Sequence, residues 1–156
     1  MLKKLFRLTK SGAEELSQEL GKLMAERSLI AEHIKSAREF GDLSENAEYQ
    51  SARLEQDKNE SRISEVEHIL HNLEIIKSPH SGSQVQLGST VKLRSHASAT
   101  KTKEFQVVGT VEANPLEGKI SDESPIGRAL LGKKVGEEVE IKTTGEKAIY
   151  KISEIS

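Results

Sequence analysis

Apolar residues recur at alternating spacings of three and four in the first part of the chain. The stripe comprises Ala13, Leu16, Leu20, Leu23, Ile30, Ile34 and Ala37, with Arg27 at the one missing position. A second stripe comprises Tyr49, Ala52, Gln56, Asn59, Ile63, Val66, Leu70 and Leu73. Heptad spacing of this kind is typical of coiled-coil helices. Both stripes therefore predict long helices that each bury one narrow face.

The two stripes fit a single antiparallel register, in which the numbers of paired residues sum to 86. The apolar pairs include Leu20 with Val66, Ile34 with Ala52, and Ala37 with Tyr49. Arg27 falls on Asn59 beside Glu60, and a polar layer matched to a polar layer is suited to setting a register. We predict a helical hairpin of residues 13–40 and 43–76 that folds back at Leu43.

The fold-back lies within AREFGDLSENAEYQSAR, residues 37–53, and its residues admit two interpretations. In the first, Gly41 ends one helix in a left-handed conformation, and Asp42 caps the next helix with Glu45 completing a capping box. In the second, Asp42 and Glu45 share a Mg²⁺ ion whose other ligands belong to a partner, because two acids three apart lie within ~5–6 Å on a helical turn. Arg38 and Arg53 then either face phosphate oxygens or form ion pairs with nearby acids.

Composition excludes several classes of protein. The chain has no cysteine, which excludes disulfides and thiolate metal sites, and its net charge of −2 argues against a broad nucleic-acid-binding surface. No apolar run approaches the length of a membrane span, and the N-terminal ten residues make a poor signal peptide. We expect a cytoplasmic protein.

A change of pattern at KSPHSGSQ, residues 77–84, indicates a domain boundary. Short β-like runs follow at residues 89–94, 104–111, 137–143 and 147–155, interrupted by one helical turn at 124–132 with Pro125 in its first turn. We predict an α+β protein with a helical hairpin at 1–77 and a small α+β domain at 78–156.

Three segments resemble the bacterial Gre transcript-cleavage factors. They are LTKSGAEELSQELGKL, AREFGDLSENAEY and GKISDESPIGRALLGKKVGEEVEI, and their order and spacing match the family over nearly the whole chain. The entry into the first helix departs from the family, as does Ser28, where a proline is frequent. The resemblance implies a coiled-coil hairpin and an FKBP-like domain. It implies that the partner is RNA polymerase, with the hairpin entering the secondary channel and the second domain docking at its rim.

The resemblance also implies roles for residues at the tip. Asp42 and Glu45 match the acids that help to hold a Mg²⁺ ion of the polymerase active site, which stimulates hydrolysis of backtracked RNA. Arg38 and Arg53 match positions near the extruded RNA 3′ end. The remaining tip positions of the motif, which would support its structure, are Gly41, Asn46 and Tyr49.

The resemblance further implies that Asp122, Glu123, Ser124 and Pro125 form the polymerase-docking segment, although a turn and helix cap would explain the same residues. On this reading the chain is a monomer without a cofactor of its own, and it is not itself an enzyme. It acts on RNA polymerase and nascent RNA, and not on membranes.

Two rival hypotheses remain open at this point. A self-contained metal hydrolase would need histidines arranged with the acids, but His33, His68, His71, His80 and His96 are scattered along the chain. An inhibitory or scaffold-type relative would occupy the channel without stimulating cleavage. Inhibitory relatives in the family carry a denser acidic tip than the Asp-Leu-Ser-Glu found here.

Overall fold

The computed structural model describes residues 5–41, 46–77, 84–97, 100–143 and 146–156. The chain divides into two compact units, one containing Ala13–Leu73 and the other containing Phe6–Gly12 together with Glu74–Ser156. Helices dominate the first unit and β-strands the second, so the predicted α+β class is confirmed. Of the predicted linker at 77–84, residues 78–83 lie outside the described residues.

The first unit is built from helices α1 (Lys10–Arg38) and α2 (Ala47–His71). Side-chain contacts show that the helices are antiparallel, since Arg27 binds Glu60 at 2.7 Å and Arg62 binds Glu19 at 2.6 Å. Both predicted stripes contribute to the buried seam. Its buried apolar residues are Ala13, Leu16, Ile30, Ile34, Ala37, Ala52, Ile63, Val66 and Ile69.

The predicted register is supported by a buried cluster near the tip. Ile34 and Ala52, which the register pairs, lie in one cluster with Ile30, and Tyr49 packs against it. The polar layer differs in detail from the prediction. Asn59 is buried and donates from Nδ2 to the carbonyl oxygen of Leu23 at 3.0 Å, whereas Arg27 is exposed and binds Glu60 with two nitrogens.

Both predicted ends of the second helix are wrong. The N-cap of α2 is Asn46, so the helix begins four residues after the predicted start at Leu43, and Asp42 is not its cap. The helix ends at His71, and the residues that continue the heptad pattern form strand β2 (Leu73–Ile75). Strand β2 pairs with β1 (Phe6–Leu8), and Ile76 N donates to Leu8 O at 2.8 Å. This long-range pairing overrides the helical periodicity.

The second unit is organised around a five-stranded sheet. Its strands are β3 (Thr90–Ser95), β4 (Thr102–Val108), β5 (Lys119–Ser121), β6 (Glu138–Thr143) and β7 (Glu146–Ile155), in the order β5-β4-β3-β7-β6. All neighbouring pairs are antiparallel except β4 and β5, which are parallel. A 3-10 turn (Pro115–Glu117) precedes β5, and helix α3 (Pro125–Leu130) follows it.

One face of this sheet forms the core of the second unit. Val91, Leu93 and Ile152 are almost completely buried there, together with Leu130 of α3. Lys92, between Val91 and Leu93, is exposed, which is the alternation of an antiparallel sheet with one solvated face. The four predicted strands and the predicted helical turn are all observed. Strands β1, β2 and β5 were not predicted, because three residues are too few to show a period.

Within the described part of the chain, no helix is long and apolar enough to cross a membrane.

Candidate functional site

The side chain of Asn46 ties the two helices together at the tip of the hairpin. Its Oδ1 accepts hydrogen bonds from the backbone N–H groups of Glu48 at 3.0 Å and Tyr49 at 3.1 Å, which caps α2. Its Nδ2 donates to the carbonyl oxygen of Ala37, in the last turn of α1, at 2.7 Å. One amide therefore satisfies free backbone groups at the end of one helix and at the start of the next.

The last turn of α1 leads into a glycine with a positive φ. Backbone bonds from Glu39 N to Ser36 O and from Phe40 N to Ala37 O, both 3.2 Å, tighten the turn after Arg38. Gly41 follows with φ 106°, which agrees with the prediction of a backbone conformation that side chains disfavour. A Cβ added to Gly41 would have no neighbour within 4 Å, so backbone conformation and not space selects glycine here.

The predicted acidic pair, Asp42 and Glu45, lies outside the described residues, between Gly41 and Asn46. Their two carboxylates are the hard oxygen donors that Mg²⁺ prefers, but two are too few to hold the ion without further ligands. The flanking acids Glu39 and Glu48 are exposed. Among the described residues, no group of three or more His, Asp or Glu side chains could hold a metal ion.

The two tip arginines differ from the arginines lower on the hairpin. The guanidinium of Arg38 lies 5.9 Å from the ring centroid of Tyr49, and Arg53 donates from Nη1 to Gln56 Oε1 at 3.0 Å. Neither forms a salt bridge to an acid in the described ranges. Their positive charges are thus not neutralised by a described carboxylate.

Lower on the hairpin, the arginines are matched with acids. Hydrogen bonds from Arg62 hold the pKa of Glu19 below its ordinary value, and those from Arg27 do the same to the pKa of Glu60. Pairing with nearby acids, one of the two alternatives for Arg38 and Arg53, is thus observed for Arg27 and Arg62, whereas no described acid pairs with Arg38 or Arg53.

The predicted docking segment forms a turn that leads into α3. Ser124 is the N-cap, because its Oγ accepts from Gly127 N at 3.0 Å and donates to Ser121 O at 2.6 Å. Asp122 N donates to Val108 O at 2.9 Å, which attaches the turn to the end of β4. The turn-and-cap role holds for Ser124. The side chains of Glu123 and Pro125 remain exposed on the surface.

Two features of the structure were missed by sequence reasoning. Glu112, whose side chain is only 4% exposed, accepts from Thr9 N at 2.8 Å and Thr9 Oγ1 at 2.6 Å, and Thr9 Oγ1 accepts from Gly12 N at 3.0 Å. The position of Thr9 just before a helix suggests a capping residue, but nothing in the neighbouring sequence indicates Glu112 as its partner. The second missed feature is Phe40, within the quoted tip motif, which is 76% exposed.

The histidines that lie in the described ranges do not assemble a metal site. His33 Nδ1 lies 3.5 Å from Glu55 Oε2 on the hairpin, and His96 Nε2 lies 3.0 Å from Glu138 Oε1 on the sheet. His80 lies outside the described residues.

Comparisons with known proteins match this chain to relatives of one family over nearly its full length. The model of the N-terminal domain of transcription elongation factors matches residues 6–75, and the GreA/GreB C-terminal model matches residues 79–156. Transcription elongation factor GreA of Bacillus subtilis is 44% identical over 154 residues, covering 98% of both chains. GreA of Thermotoga neapolitana is also 44% identical over 154 residues, again covering 98% of each chain.

Solved structures of relatives also align with the chain. The GreA factor homolog 1 (Gfh1) protein of Thermus thermophilus is 32% identical and covers 98% of this chain and 99% of its own, with a TM-score of 0.45. GreA/GreB from Nitrosomonas europaea is 21% identical, covers 99% of both chains and has a TM-score of 0.46. Taken together, the two matched domain models and the full-length GreA relatives show that this chain belongs to the GreA/GreB family of transcription elongation factors.

Proposed function

We propose that the protein binds bacterial RNA polymerase and stimulates the polymerase's own cleavage of backtracked RNA. The observation that carries the proposal is the Asn46 bridge from Ala37 O to the start of α2. This bridge joins the described residues on either side of positions 42–45, the positions of Asp42 and Glu45 in the sequence. Arg38 and Arg53, at the same end of the hairpin, have no carboxylate partner among the described residues, so their guanidinium groups can bind phosphate.

In this proposal, Asp42 and Glu45 donate carboxylate oxygens to a Mg²⁺ ion of the polymerase active site when the hairpin enters the secondary channel. Such an ion supplies an activated water and charge stabilisation for phosphodiester hydrolysis. The chain itself contributes ligands and orientation, and the polymerase contributes the remaining ligands. In this proposal the protein is a stimulating factor that acts as a monomer and has no cofactor of its own.

Arg38 and Arg53 contact phosphate oxygens near the RNA 3′ end in this proposal. A guanidinium is suited to this contact because its planar fork binds two oxygens at once. Arg38 is partly pre-oriented by the ring of Tyr49, a cation–π contact at 5.9 Å.

The second unit docks at the rim of the channel through the exposed side chains of Glu123 and Pro125, at the start of α3. Glu123 accepts from Thr110 Oγ1 at 3.3 Å and keeps its carboxylate at the surface. Since Ser124 holds the turn by capping α3, it positions its neighbours more than it offers a contact of its own.

The central experiment replaces the two acids with amides. Because Asn46 caps α2, Asp42→Asn and Glu45→Gln remove charge without removing the cap. We expect both variants to melt within about 1 kcal/mol of the parent, as surface changes do, and to bind polymerase normally. Stimulated cleavage on a stalled, backtracked complex should nevertheless collapse, with extra Mg²⁺ restoring it at most in part.

The matched control is Asp57→Asn, an acid-to-amide change at an exposed position of α2, which should leave stimulation unchanged. Normal stimulation by both amide variants would refute the role of the acids. A parent protein that binds and slows the polymerase without stimulating cleavage would instead identify an inhibitory relative. Cleavage of RNA and Mg²⁺ mixtures without polymerase would identify a hydrolase.

A further inference from the structure

Phe40 is an apolar side chain that the folded hairpin leaves in solvent. It is 76% exposed, although the other two phenylalanines of the chain, Phe6 and Phe105, are partly buried. Aromatic residues make up only 3% of the chain, so the exposure of one of them, outside the core, indicates a role other than packing. The ring is available to a partner.

The backbone of Phe40 is hydrogen-bonded to the last turn of α1. The carbonyl oxygen of Ala37 accepts hydrogen bonds both from Phe40 N at 3.2 Å and from Asn46 Nδ2 at 2.7 Å. The same acceptor therefore holds the Phe40 backbone and the start of the second helix. A ring carried on a fixed backbone loses less conformational entropy on binding than one carried on a flexible loop.

The charges around Phe40 favour a nucleic acid as the ligand, and a base as the group that is contacted. Arg38 and Arg53, at the same end of the hairpin, have no described carboxylate partner, and cationic side chains together with an exposed aromatic are the usual combination for binding single strands. The exposed acids Glu39 and Glu48 repel phosphate at the same end. The face of a base carries no net charge, so a stacked ring can bind it despite these acids.

We propose that Phe40 stacks on the unpaired base at the RNA 3′ end, as a positioning residue for the cleavage reaction. The inference rests on the proposed function and names the group of the substrate that the tip recognises. Stacking requires no particular base, since every base presents a π-face. Phe40 would thus orient the extruded nucleotide without making cleavage sequence-specific.

The test uses polymerase complexes backtracked by one nucleotide, so that one RNA base is unpaired. Phe40→Leu keeps an apolar side chain but cannot stack, whereas Phe40→Tyr keeps the ring. On normal RNA we expect Phe40→Leu to lower stimulated cleavage about tenfold, in line with the usual strength of base–aromatic stacking, and Phe40→Tyr to stay near the parent. On RNA whose 3′ nucleotide is abasic, Phe40→Leu and the parent should stimulate equally.

An optical measurement tests stacking without any cleavage. The Asp42→Asn variant is bound to a complex whose 3′ base is 2-aminopurine, and the fluorescence of that base is followed while binding is measured separately. Quenching should occur with Phe40 or Tyr at this position and be lost with Leu. The matched control is Leu54→Ala, which removes an apolar side chain that is 61% exposed on the second helix. It should leave both readouts unchanged.

Three results would overturn the proposal. The first is an equal loss of stimulated cleavage by Phe40→Leu on normal and abasic RNA, which would indicate a contact with the polymerase protein. The others are no loss of cleavage on normal RNA, and 2-aminopurine fluorescence that is unchanged with all three side chains. These differ from a failure of the proposed function, in which the parent protein itself binds polymerase without stimulating cleavage. Because the fluorescence measurement needs binding alone, it decides the stacking claim even then.

Discussion

Asn46 Nδ2 donates to the carbonyl oxygen of Ala37 across the tip of the hairpin, at 2.7 Å and nine residues away along the chain. The bond joins the last turn of α1 to the N-cap of α2, and it is separate from the capping bonds that Asn46 Oδ1 accepts. The oxygen and the nitrogen of one amide therefore make different bonds, and a substitution can remove one of these bonds and keep the other.

We expect Asn46→Asp to keep the helix cap and to lose the bond across the tip. Aspartate caps a helix about as well as asparagine, but a carboxylate cannot donate to Ala37 O. The cost in unfolding free energy should be about 1 kcal/mol. Stimulated cleavage should fall between about 10- and 100-fold, because misplacing reactive groups by an ångström has effects of this size.

Asn72→Asp is the matched control, since the Nδ2 of Asn72 donates to His68 O at 2.8 Å near the far end of the same helix. It should alter stability by a similar amount and leave cleavage unchanged. Parent-level cleavage by Asn46→Asp would mean that the bond across the tip does not position the acids.

Substitutions in the docking segment should weaken polymerase binding and leave the fold intact. The double variant Glu123→Ala and Pro125→Ala should weaken polymerase binding at least about tenfold, the effect of removing contacts at the centre of an interface. Ser124 stays, because its cap holds the turn. Binding is measured by titration of labelled polymerase.

The control for docking is the double variant Pro115→Ala and Glu117→Ala, which removes a proline and an acid that are also exposed, from the 3-10 turn of the same unit. It should bind like the parent. If both double variants bind like the parent, the segment is a turn and helix cap alone.

Two glycines should respond to alanine in opposite directions. A Cβ at Gly127 would overlap the carbonyl oxygen of Ser121, a backbone atom that cannot move alone, whereas a Cβ at Gly21 would have no neighbour within 4 Å. Gly127→Ala should therefore lower the unfolding free energy by about 1–3 kcal/mol. Gly21→Ala, in an exposed helix position, should raise it by about 0.5–1 kcal/mol.

Urea unfolding followed by the amide NMR signals of each unit checks both glycine variants. Loss of stability should be confined to the second unit for Gly127→Ala, and the gain to the helices for Gly21→Ala. Stabilisation by Gly127→Ala would contradict the close backbone approach.

The bidentate pair of Arg62 and Glu19 makes helix stability depend on pH. The pair lowers the pKa of Glu19 in the folded state, so its contribution is present above the ordinary carboxyl pKa and is lost as the pH falls through the lowered value. Both side chains are more than a third exposed, which limits the contribution to about 0.5 kcal/mol.

Glu19→Gln should accordingly lower the thermal midpoint of the helical signal at pH 7, and the difference from the parent should shrink towards zero below about pH 4. Circular dichroism at 222 nm across a pH series measures this. Glu14→Gln, on the exposed surface of the same helix, should show no such convergence. A Glu19→Gln difference that grows on acidification would contradict the sign.

The helical hairpin follows from the sequence because heptad spacing is a local property that one register can satisfy along its whole length. Ile34, Ala52 and Tyr49 lie together as that register predicts. The alternation of β3 and the Ser124 cap with Pro125 were likewise predictable, since each depends on a few adjacent residues.

The rest was decided by contacts that no local rule predicts. Local capping rules favour Asp42, but Asn46 is the cap of α2, and its amide also donates to Ala37 O across the tip. Glu112 binds Thr9 from 103 residues away. No heptad or capping pattern pairs Asn46 with Ala37 or Glu112 with Thr9, and only the folded chain brings their hydrogen-bonding groups within reach.

The same distinction applies to the candidate site. Residue types and the family motif identify Asp42, Glu45 and the two tip arginines as candidates, because carboxylate and guanidinium chemistry can be recognised from sequence. The exposure of Phe40 and the absence of described acid partners for Arg38 and Arg53 depend on which side chains the packed seam leaves outside. Burial and pairing are properties of the assembled surface, so only the tertiary structure decides them.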